Sequence, residues 1–489
     1  GLFGLLVFAP LTRWPFSPIS TKLTWDAGLY HFPKAIEMLV TASAWDMTID
    51  YGEYPFGYES LLALAFGTNP DGYLLGFVHA LIGFYFFLSF WLVARRFTKL
   101  PNELLLFFLA IMILSRLYLP QNDNNIWWVL WTQIILIGKN DLLLGAILLS
   151  IILFTPSPQQ KVEPNHLLGL AISSMLALSI KPNSLLLVLC CWCLLVYSLI
   201  RSQGWRGAVR KVSLQALIVL PGLLWAFRNL IAMGELFKPN AAKLSRLSIA
   251  ANLGNPYFYE YIPTQMYIVL AIILLSIFIA FLKKENTLPM LLGLALFLSF
   301  ILTPVSAFLG NNQHPTQIAW RFAVGLLAYQ AIWLLIPLAP LIDKIYRWVM
   351  AKRIASILAA FMVLLFSLAS VYLHRELFET NTRGDLVLRD QFKESVGVNG
   401  YWSAYEYVQQ NVHNATVIVE NGLPYYLYDE KFTNSVTRSH DADYFVAFKT
   451  AWNSGKKEEF PEMILAPEWE ETWQLIYEDG QGRVYQRKP

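Results

Sequence analysis

Long apolar runs recur through most of the chain, and they constrain its fold more than any other feature. Many of these runs approach the ~20 residues that a helix needs to cross a bilayer. Charged residues make up only 15% of the 489 positions, against roughly 25% in a soluble domain. We therefore predict a mainly α-helical polytopic membrane protein.

The apolar runs predict about eleven transmembrane helices, with boundaries uncertain by a few residues. The chain opens within the apolar stretch GLFGLLVFAP, which no basic segment precedes. We therefore expect Gly1 to lie partway through a first helix whose beginning is missing. The predicted helices lie near 1–12, 71–94, 102–118, 141–155, 165–180, 182–200, 212–232, 265–282, 288–309, 318–340 and 354–373.

Lys and Arg residues predict the orientation, because cytoplasmic connections carry an excess of them. When the predicted helices are threaded in order, the basic connections all fall on one side, which we assign to the cytoplasm. These connections contain residues 95–99, 161, 201–211, 283–284 and 344–353. The segments expected outside are 13–70, 119–140, 233–264, 310–317 and 374–489.

The composition changes after Leu373, where spanning segments end and charged residues become common. We predict a membrane module at 1–373, with a long first outer loop at 13–70, and a small extracytoplasmic α/β domain at 374–489. Residues 401–412 have helical spacing, and the break at Asp479–Gly482 is typical of a β-hairpin turn. Strands are predicted near 415–420, 443–448, 473–479 and 482–488.

Composition also limits the partners. The net charge of +3 gives no support to a nucleic-acid partner, whose binding needs a basic surface. Seventeen Trp, 24 Tyr and 32 Phe suit a protein that contacts membrane lipids at two interfaces. Cys190, Cys191 and Cys193 lie in one apolar run, where we interpret them as packing residues and not as a disulfide or metal site.

The first outer loop contains the most reactive pattern, TWDAGLYHFPKAIEML. Asp26 precedes a phenol, Tyr30, and an imidazole, His31. A carboxylate in such surroundings can accept a proton from a hydroxyl or bind a cation. The alternative is that Asp26 only caps the helix predicted to follow near Pro33.

A second acid, Asp141, starts a membrane helix in the pattern IGKNDLLLGAILL. The helix dipole alone favours an acid in that first turn, so a structural role stays open. Asp123 in the preceding loop is a less constrained neighbour.

Four basic or imidazole side chains lie at the outer ends of predicted helices. Cations there can reach lipid headgroups by extending toward the interface. Several of them on one face can instead form a site for an anion such as phosphate. The four residues are Lys181, Arg228, His314 and Arg321.

The order of these patterns resembles bacterial GT-C-type glycosyltransferases, membrane enzymes that use polyprenyl-phosphate sugars. The first outer loop is similar to theirs in WDAGLYHFPKAIEML and YPFGYESLLAL, and later matches are GKNDLLLGAILL, RNLIAMGELFKP and WRFAVGLLA. Outer α/β domains like the stretch ending in ATVIVENGLPYYLYD are appended to some members. The resemblance covers most of the chain. In one departure, many members carry two adjacent acids where this chain has Asp26–Ala27.

The resemblance implies a role for each matching residue. Asp26 is expected to be the general base that deprotonates the acceptor, next to Tyr30 and His31 as substrate-binding residues. Asp141 is expected to assist it by orienting substrate or by holding a divalent cation, Mg or Mn, which Asp26 would share. The residues expected to neutralise the leaving lipid phosphate are Arg321, Arg228, Lys181 and His314.

The implied reaction is an inverting transfer of a sugar from a polyprenyl-phosphate donor to an acceptor on the outer face of a bacterial-type plasma (inner) or internal membrane. The acceptor is left open among protein, glycan and lipid. An alternative function is a catalytically inactive GT-C-like structural or lipid-binding subunit of a larger membrane complex. A lipid or solute transporter fits less well, because no internal repeat is visible in the sequence.

Overall fold

The computed structural model describes residues 26–45, 49, 51–70, 73–106, 108, 138–158, 160–236, 271, 274–275, 278, 288–301, 324–351, 357, 360–361, 365, 402–420, 422–437, 441–449 and 459–489. After a π-helical turn, Ala27–His31, the helices are α1 (Phe32–Val40), α2 (Gly57–Thr68), α3 (Tyr73–Thr98), α4 (Asp141–Phe154), α5 (Pro164–Ile180), α6 (Leu185–Val219), α7 (Leu224–Met233), α8 (Leu288–Ile301), α9 (Val324–Met350), α10 (Trp402–Asn411) and α11 (Pro467–Thr472). The strands are β1 (Thr416–Glu420), β2 (Ser435–Val436), β3 (Tyr444–Phe448), β4 (Trp473–Glu478) and β5 (Gly482–Arg487).

Apolar helices of membrane-spanning length occur among these residues. Leu74–Thr98 and Pro182–Met233 each satisfy the length and composition of a span. The two parts of α9, Val324–Trp333 and Leu335–Met350, meet at 43° and together satisfy it as well. The bend follows from Pro337, which has no N–H to donate to the carbonyl of Trp333. The prediction of an integral membrane protein is thus supported by the helices themselves.

Predicted helices near 71–94, 141–155, 165–180, 288–309 and 318–340 overlap α3, α4, α5, α8 and α9, and both α3 and α9 continue into the basic connections predicted at 95–99 and 344–353. The predicted helix near 1–12 lies outside the described residues, and those near 102–118, 265–282 and 354–373 are described only at scattered positions. The number of spans and their orientation therefore stay predictions.

The region 182–232 differs from the sequence-based boundaries. Two helices separated by a basic loop at 201–211 were expected, and α6 consists of two helices that meet at a kink within that stretch. The interruption is confined to Gly204, whose φ of 71° and ψ of 173° are not helical. Glycine adopts this conformation without a Cβ clash, so one residue supplies the break that a whole loop was expected to supply.

The chain divides into two units. The first, called the helical unit, comprises Gly1–Arg13, Ala80–Ile134 and Asn140–Glu379, and the second, called the mixed unit, comprises Trp14–His79, Ile135–Lys139 and Thr380–Pro489. The boundary predicted at 373/374 lies outside the described residues.

In the helical unit, α4 is buried on nearly all sides, from Asp141 to Ile152. The last carbonyls of a helix have no partner within it. Here Arg96 of α3 supplies the missing donors, because its guanidinium donates to the carbonyl oxygens of Ile152 at 2.9 Å and Thr155 at 2.6 Å. The contact fixes the axial position of α4, and with it the acid at its first residue.

The mixed unit contains a five-stranded sheet in the order β2-β1-β3-β5-β4. β1 pairs in parallel with β2 and β3, whereas β5 is antiparallel to β3 and β4. The predicted small α/β region, its four strands and helix α10 are confirmed. Asp479 accepts hydrogen bonds from the backbone N–H groups of Gln481 and Gly482 at 2.7 and 2.6 Å, which closes the predicted hairpin turn. β2 was not predicted because two residues carry no periodicity.

The segment predicted as the first outer loop also belongs to the mixed unit. The helix expected near Pro33 begins earlier, with the π-helical turn that directly follows Asp26. Phe32 of α1 packs against Phe66 of α2, with ring centroids 5.4 Å apart, and against Tyr425, at 5.1 Å. Residues from both ends of the described chain therefore share one apolar core. π-helical turns are found frequently at functional sites.

Candidate functional site

Asp26 forms an ion pair with Lys139 in the mixed unit. The carboxylate Oδ2 accepts a hydrogen bond from the lysine ammonium, and both side chains are mostly buried. Asp26 occupies the N-cap position of the π-helical turn, but its side chain makes no capping hydrogen bond there. The structure therefore favours a charge-paired carboxylate over the capping alternative.

Gly138 makes this ion pair sterically possible. Its φ is +82°, a conformation that L side chains rarely adopt, and a Cβ at this position would lie 2.2 Å from Cβ of Ala27. The backbone before Lys139 thus lies directly on the π-helical turn that follows Asp26. Only glycine permits both the dihedral angle and the close approach.

His31 lies in a second polar cluster of the same unit. Its Nδ1 and the Oε1 of Glu59 are 2.7 Å apart, and both side chains are buried. The ammonium of Lys34 lies 3.9 Å from the same Glu59 oxygen and donates to the carbonyl oxygens of Tyr54 and Pro55, each at 3.1 Å. These contacts tie α1, the loop before α2 and α2 itself together.

The pKa values of the His31–Glu59 pair are both shifted downward. Burial lowers the pKa of His31, although hydrogen bonding and charge from Glu59 and the charge of Asp26 oppose the shift. Burial raises the pKa of Glu59, but the charge of Lys34 and the contacts with His31 outweigh it, so the net pKa is lowered. At neutral pH the pair is a neutral imidazole and an ionised carboxylate. Since a carboxylate only accepts, Nδ1–H of His31 is the donor.

Asp26 and Lys139 both affect the pKa of His31, in opposite directions. The Asp26–Lys139 pair and the His31–Glu59–Lys34 cluster therefore lie within electrostatic range of each other. Together they form a single polar site at the start of the helix that runs through the π-helical turn into α1.

Tyrosine rings line this site. Tyr30 lies 4.1 Å from the ring of His31 and 4.7 Å from that of Tyr51, measured between centroids. Tyr51 in turn lies 5.1 Å from Tyr54. Tyr51 is partly exposed and has a positive φ of 55°, which is an uncommon conformation for a non-glycine residue and is found at ligand sites.

The helical unit contains a separate Asp–Lys pair. Asp141 is the first residue of α4 and is buried. Lys181 follows the last residue of α5, in extended conformation, and its ammonium donates to Oδ1 of Asp141. Here the ion pair joins the first residue of α4 to the residue that follows α5.

Arg228 is fully buried in α7. Its Nε and Nη2 donate to the amide oxygen of Asn229 at 3.2 and 3.0 Å, while the Asn229 amide nitrogen donates to the carbonyl of Leu236 at 2.7 Å. The indole N–H of Trp225, one turn earlier, donates to the carbonyl of Leu178 in α5 at 3.0 Å. α7 is thus attached to α5 near the end that carries Lys181.

The predicted site residues are therefore placed as follows. Asp26, Tyr30 and His31 lie together in the mixed unit, and Asp141, Lys181 and Arg228 lie in the helical unit. His314, Arg321 and the neighbouring Asp123 lie outside the described residues. The roles assigned to all of them stay predictions.

Lys139, Glu59 and Lys34 were missed as site residues by sequence reasoning. Lys139 and Glu59 lie within the motifs described above, but the sequence assigned neither of them a partner. Asp26, the partner of Lys139, and His31, the partner of Glu59, are both distant in sequence. Lys34 follows His31 by three residues, the spacing of one helix face, and a charged residue on an otherwise apolar face was the available signal.

A divalent cation at this site would need several oxygen ligands directed at one point. Among the described residues, no three His, Cys, Asp or Glu side chains converge as metal ligands. Asp26 and Asp141 each bind a lysine ammonium, whereas magnesium binds oxygen ligands in octahedral geometry. The described residues fit two ion pairs and do not fit a metal site.

No protein-family model matches the chain, and no curated protein matches it in sequence. The fold, however, is the GT-C fold. One matching structure is ArnT from Cupriavidus metallidurans in the apo state, with a TM-score of 0.50 and 16% identity over 99% of this chain and 97% of ArnT. ArnT bound to undecaprenyl phosphate gives a TM-score of 0.48 and 16% identity over 99% of this chain and 98% of ArnT. At this identity the likeness shows the fold alone, and the GT-C fold predicted from the order of the motifs is confirmed.

Proposed function

We propose that the chain is an inverting glycosyltransferase that moves a sugar from a polyprenyl-phosphate donor to an acceptor on the extracytoplasmic face of a bacterial-type membrane. The observation that carries the proposal is the Asp26 carboxylate, held by Lys139 beside a neutral His31. The GT-C fold supports it. ArnT has been crystallised with undecaprenyl phosphate, which makes polyprenyl phosphates the first donors to test.

Asp26 acts as the general base in this reaction. The acceptor hydroxyl oxygen attacks the anomeric carbon of the donor while its proton moves to the Asp26 carboxylate. The bond between the anomeric carbon and the phosphate oxygen breaks, and its electron pair leaves with the phosphate. A base and a leaving group on opposite faces of the sugar give inversion at the anomeric carbon.

Lys139 orients the base. Its ammonium binds one carboxylate oxygen of Asp26, and this contact also fixes the direction of the second carboxylate oxygen. A general base must lie within hydrogen-bond reach of its proton, and holding it there removes part of the entropic barrier. His31, itself fixed by Glu59, and Tyr30 provide the polar and aromatic surface that binds the sugar or the acceptor.

Cationic side chains stabilise the leaving phosphate. A departing lipid phosphate needs positive charge nearby more than it needs a proton donor. Lys181 and Arg228 are assigned to this task, with His314 and Arg321. Asp141 orients Lys181 by its ion pair, which is the form of assistance we assign to this second acid.

Mass spectrometry of the lipids retained by the purified chain tests the proposal. The Asp26→Asn variant is expected to retain a polyprenyl-phosphate sugar, while the wild type retains spent lipid phosphate or none. Asp441→Asn, which makes the same chemical change at an exposed residue, is expected to match the wild type. Ordinary phospholipids in all three proteins, with partner proteins at a fixed ratio, would instead support the inactive membrane-complex subunit.

A further inference from the structure

Glu37 is a buried carboxylate in α1 that the proposed reaction does not use. Its Oε1 accepts hydrogen bonds from the Tyr428 hydroxyl at 2.7 Å and from the Val436 backbone N–H at 2.6 Å. Its Oε2 accepts one from the Ser435 hydroxyl at 2.8 Å. These donors lie almost 400 positions away in sequence, at and just before strand β2.

The same helix carries the polar site. His31, Lys34 and Glu37 follow one another at intervals of three residues, and each makes its own long-range contact. His31 contacts Glu59, and Lys34 contacts the loop at 51–55. Of these three residues, Glu37 is the one that contacts the C-terminal part of the chain, at 428–436.

Apolar contacts follow the same path. Phe32 packs on Tyr425, and Phe66 of α2 packs on Phe432 with ring centroids 5.6 Å apart. The segment 425–436 therefore contacts both helices of the first outer loop. Apolar packing alone allows a helix to slide or rotate by small steps, whereas three directed hydrogen bonds to one carboxylate do not.

A buried charge is costly unless it is hydrogen-bonded, and an apolar residue of similar volume often serves stability equally well. Glu37 is therefore better explained by positional precision than by stability. We propose that Glu37 is a positioning residue, which fixes the rotation and axial position of α1 against the segment 425–436 and so keeps Asp26 and His31 in register.

This role rests on the proposed function, because it concerns the transfer reaction at Asp26. Asp26 and Lys139 meet at the N-terminal end of the helix that Glu37 holds at its C-terminal end. A misplacement of about 1 Å at a catalytic group can cost about 100-fold in rate, so loss of the Glu37 contacts is expected to lower the rate without changing any group that touches substrate.

The experiment compares Glu37→Ala, Glu37→Gln and Tyr428→Phe in the full chain. Gln keeps an oxygen for the Val436 and Tyr428 donors and offers an N–H to the Ser435 oxygen, so it is expected to retain wild-type behaviour within about threefold. Glu37→Ala is expected to lower kcat at least about tenfold with little change in KM for the donor. Tyr428→Phe, which removes one hydroxyl, is expected to fall between them.

Tyr407→Phe is the matched control, because it removes a hydroxyl from a tyrosine of the same unit that stacks on Tyr477 away from Glu37. It is expected to leave kcat unchanged. Hydrogen exchange of backbone amides gives a readout independent of activity. Faster exchange at 26–34 and 51–55, as well as at 428–436, is expected in Glu37→Ala and in Tyr428→Phe.

Wild-type kcat in both Glu37→Ala and Tyr428→Phe would overturn the positioning role. So would faster exchange confined to 428–436, since the contact would then be local. If the wild-type chain transfers no sugar, the proposed function fails, and the exchange at 26–34 and 51–55 still decides whether Glu37 holds α1 in place.

Discussion

The two Asp–Lys pairs in the described part of the chain have the same chemistry and opposite exposure. In the mixed unit the acid is the more exposed partner, with 20% of the Asp26 side chain accessible against 10% of Lys139. In the helical unit the lysine is the more exposed partner, with 18% of the Lys181 side chain accessible against 2% of Asp141. The first pair leaves its carboxylate the more accessible group, and the second leaves its ammonium the more accessible group. One pair is thus suited to a base and the other to binding an anion.

The largest expected effect comes from Asp26→Asn. The amide can still accept a hydrogen bond from Lys139 but cannot take up a proton, so kcat is expected to fall about 10²–10⁴-fold while the protein remains folded. Steady-state transfer assays and thermal unfolding measure the two quantities. Asp441→Asn serves as the control. An Asp26→Asn variant with full activity would show that the more exposed carboxylate of the first pair is not the general base.

Lys181→Met is expected to lower stability, in addition to removing a cation that we assign to the leaving phosphate. It leaves the buried Asp141 without its counter-charge, which costs about 3 kcal/mol, the low end for a buried pair, because the lysine is partly exposed. Denaturant titration in mixed micelles measures the change. The double variant Asp141→Asn/Lys181→Met is expected to recover much of the loss. If the single variant is as stable as the wild type, the second pair does not behave as a buried ion pair.

Gly138→Ala is expected to disturb the first pair without touching either charged residue. The new methyl group meets Ala27, and the backbone must leave its positive φ, so Lys139 moves away from Asp26. A fall in kcat of about tenfold is expected. Gly480→Ala is the control, because a Cβ there meets nothing within 4 Å. Equal activity of the two variants would show that the approach of Gly138 to Ala27 does not position the base.

The smallest expected effect is a pH dependence of stability from His31. The pKa of His31 is lower in the folded chain than in the unfolded chain, so the unfolded chain binds more protons as pH falls below about 6.5. The contribution of neutral His31 to the free energy of unfolding is therefore complete above that pH and is lost as the pH falls below it. The Glu59 pKa is also lowered, and its contribution is lost only below the ordinary pKa of a glutamic acid.

Unfolding titrations between pH 7.5 and about 5 check this for the wild type and for His31→Gln. His31→Gln is expected to show a shallower loss of stability on acidification. A wild-type slope in His31→Gln would mean that His31 does not titrate with folding.

Sequence reasoning reached the fold because the relevant signals are local or ordered along the chain. Apolar runs predicted helices, alternating residues predicted β1, β3, β4 and β5, and the order of short motifs predicted the GT-C fold. The partners within the site were out of reach, because Asp26 and Lys139 are 113 residues apart and no periodicity relates them. The break within α6 is shorter than expected, because the basic residues at 201–211 predicted a loop whereas only Gly204 leaves the helical conformation.

The most direct test of the account is chemical rescue of an Asp26→Ala variant. Removing the side chain leaves space beside the Lys139 ammonium, where formate can bind and accept the acceptor's proton. Formate is expected to restore sugar transfer to this variant in a concentration-dependent way, with inverted anomeric configuration, and to have little effect on the wild type. A folded variant that retains donor but is not restored by formate would contradict the assignment of Asp26 as the general base.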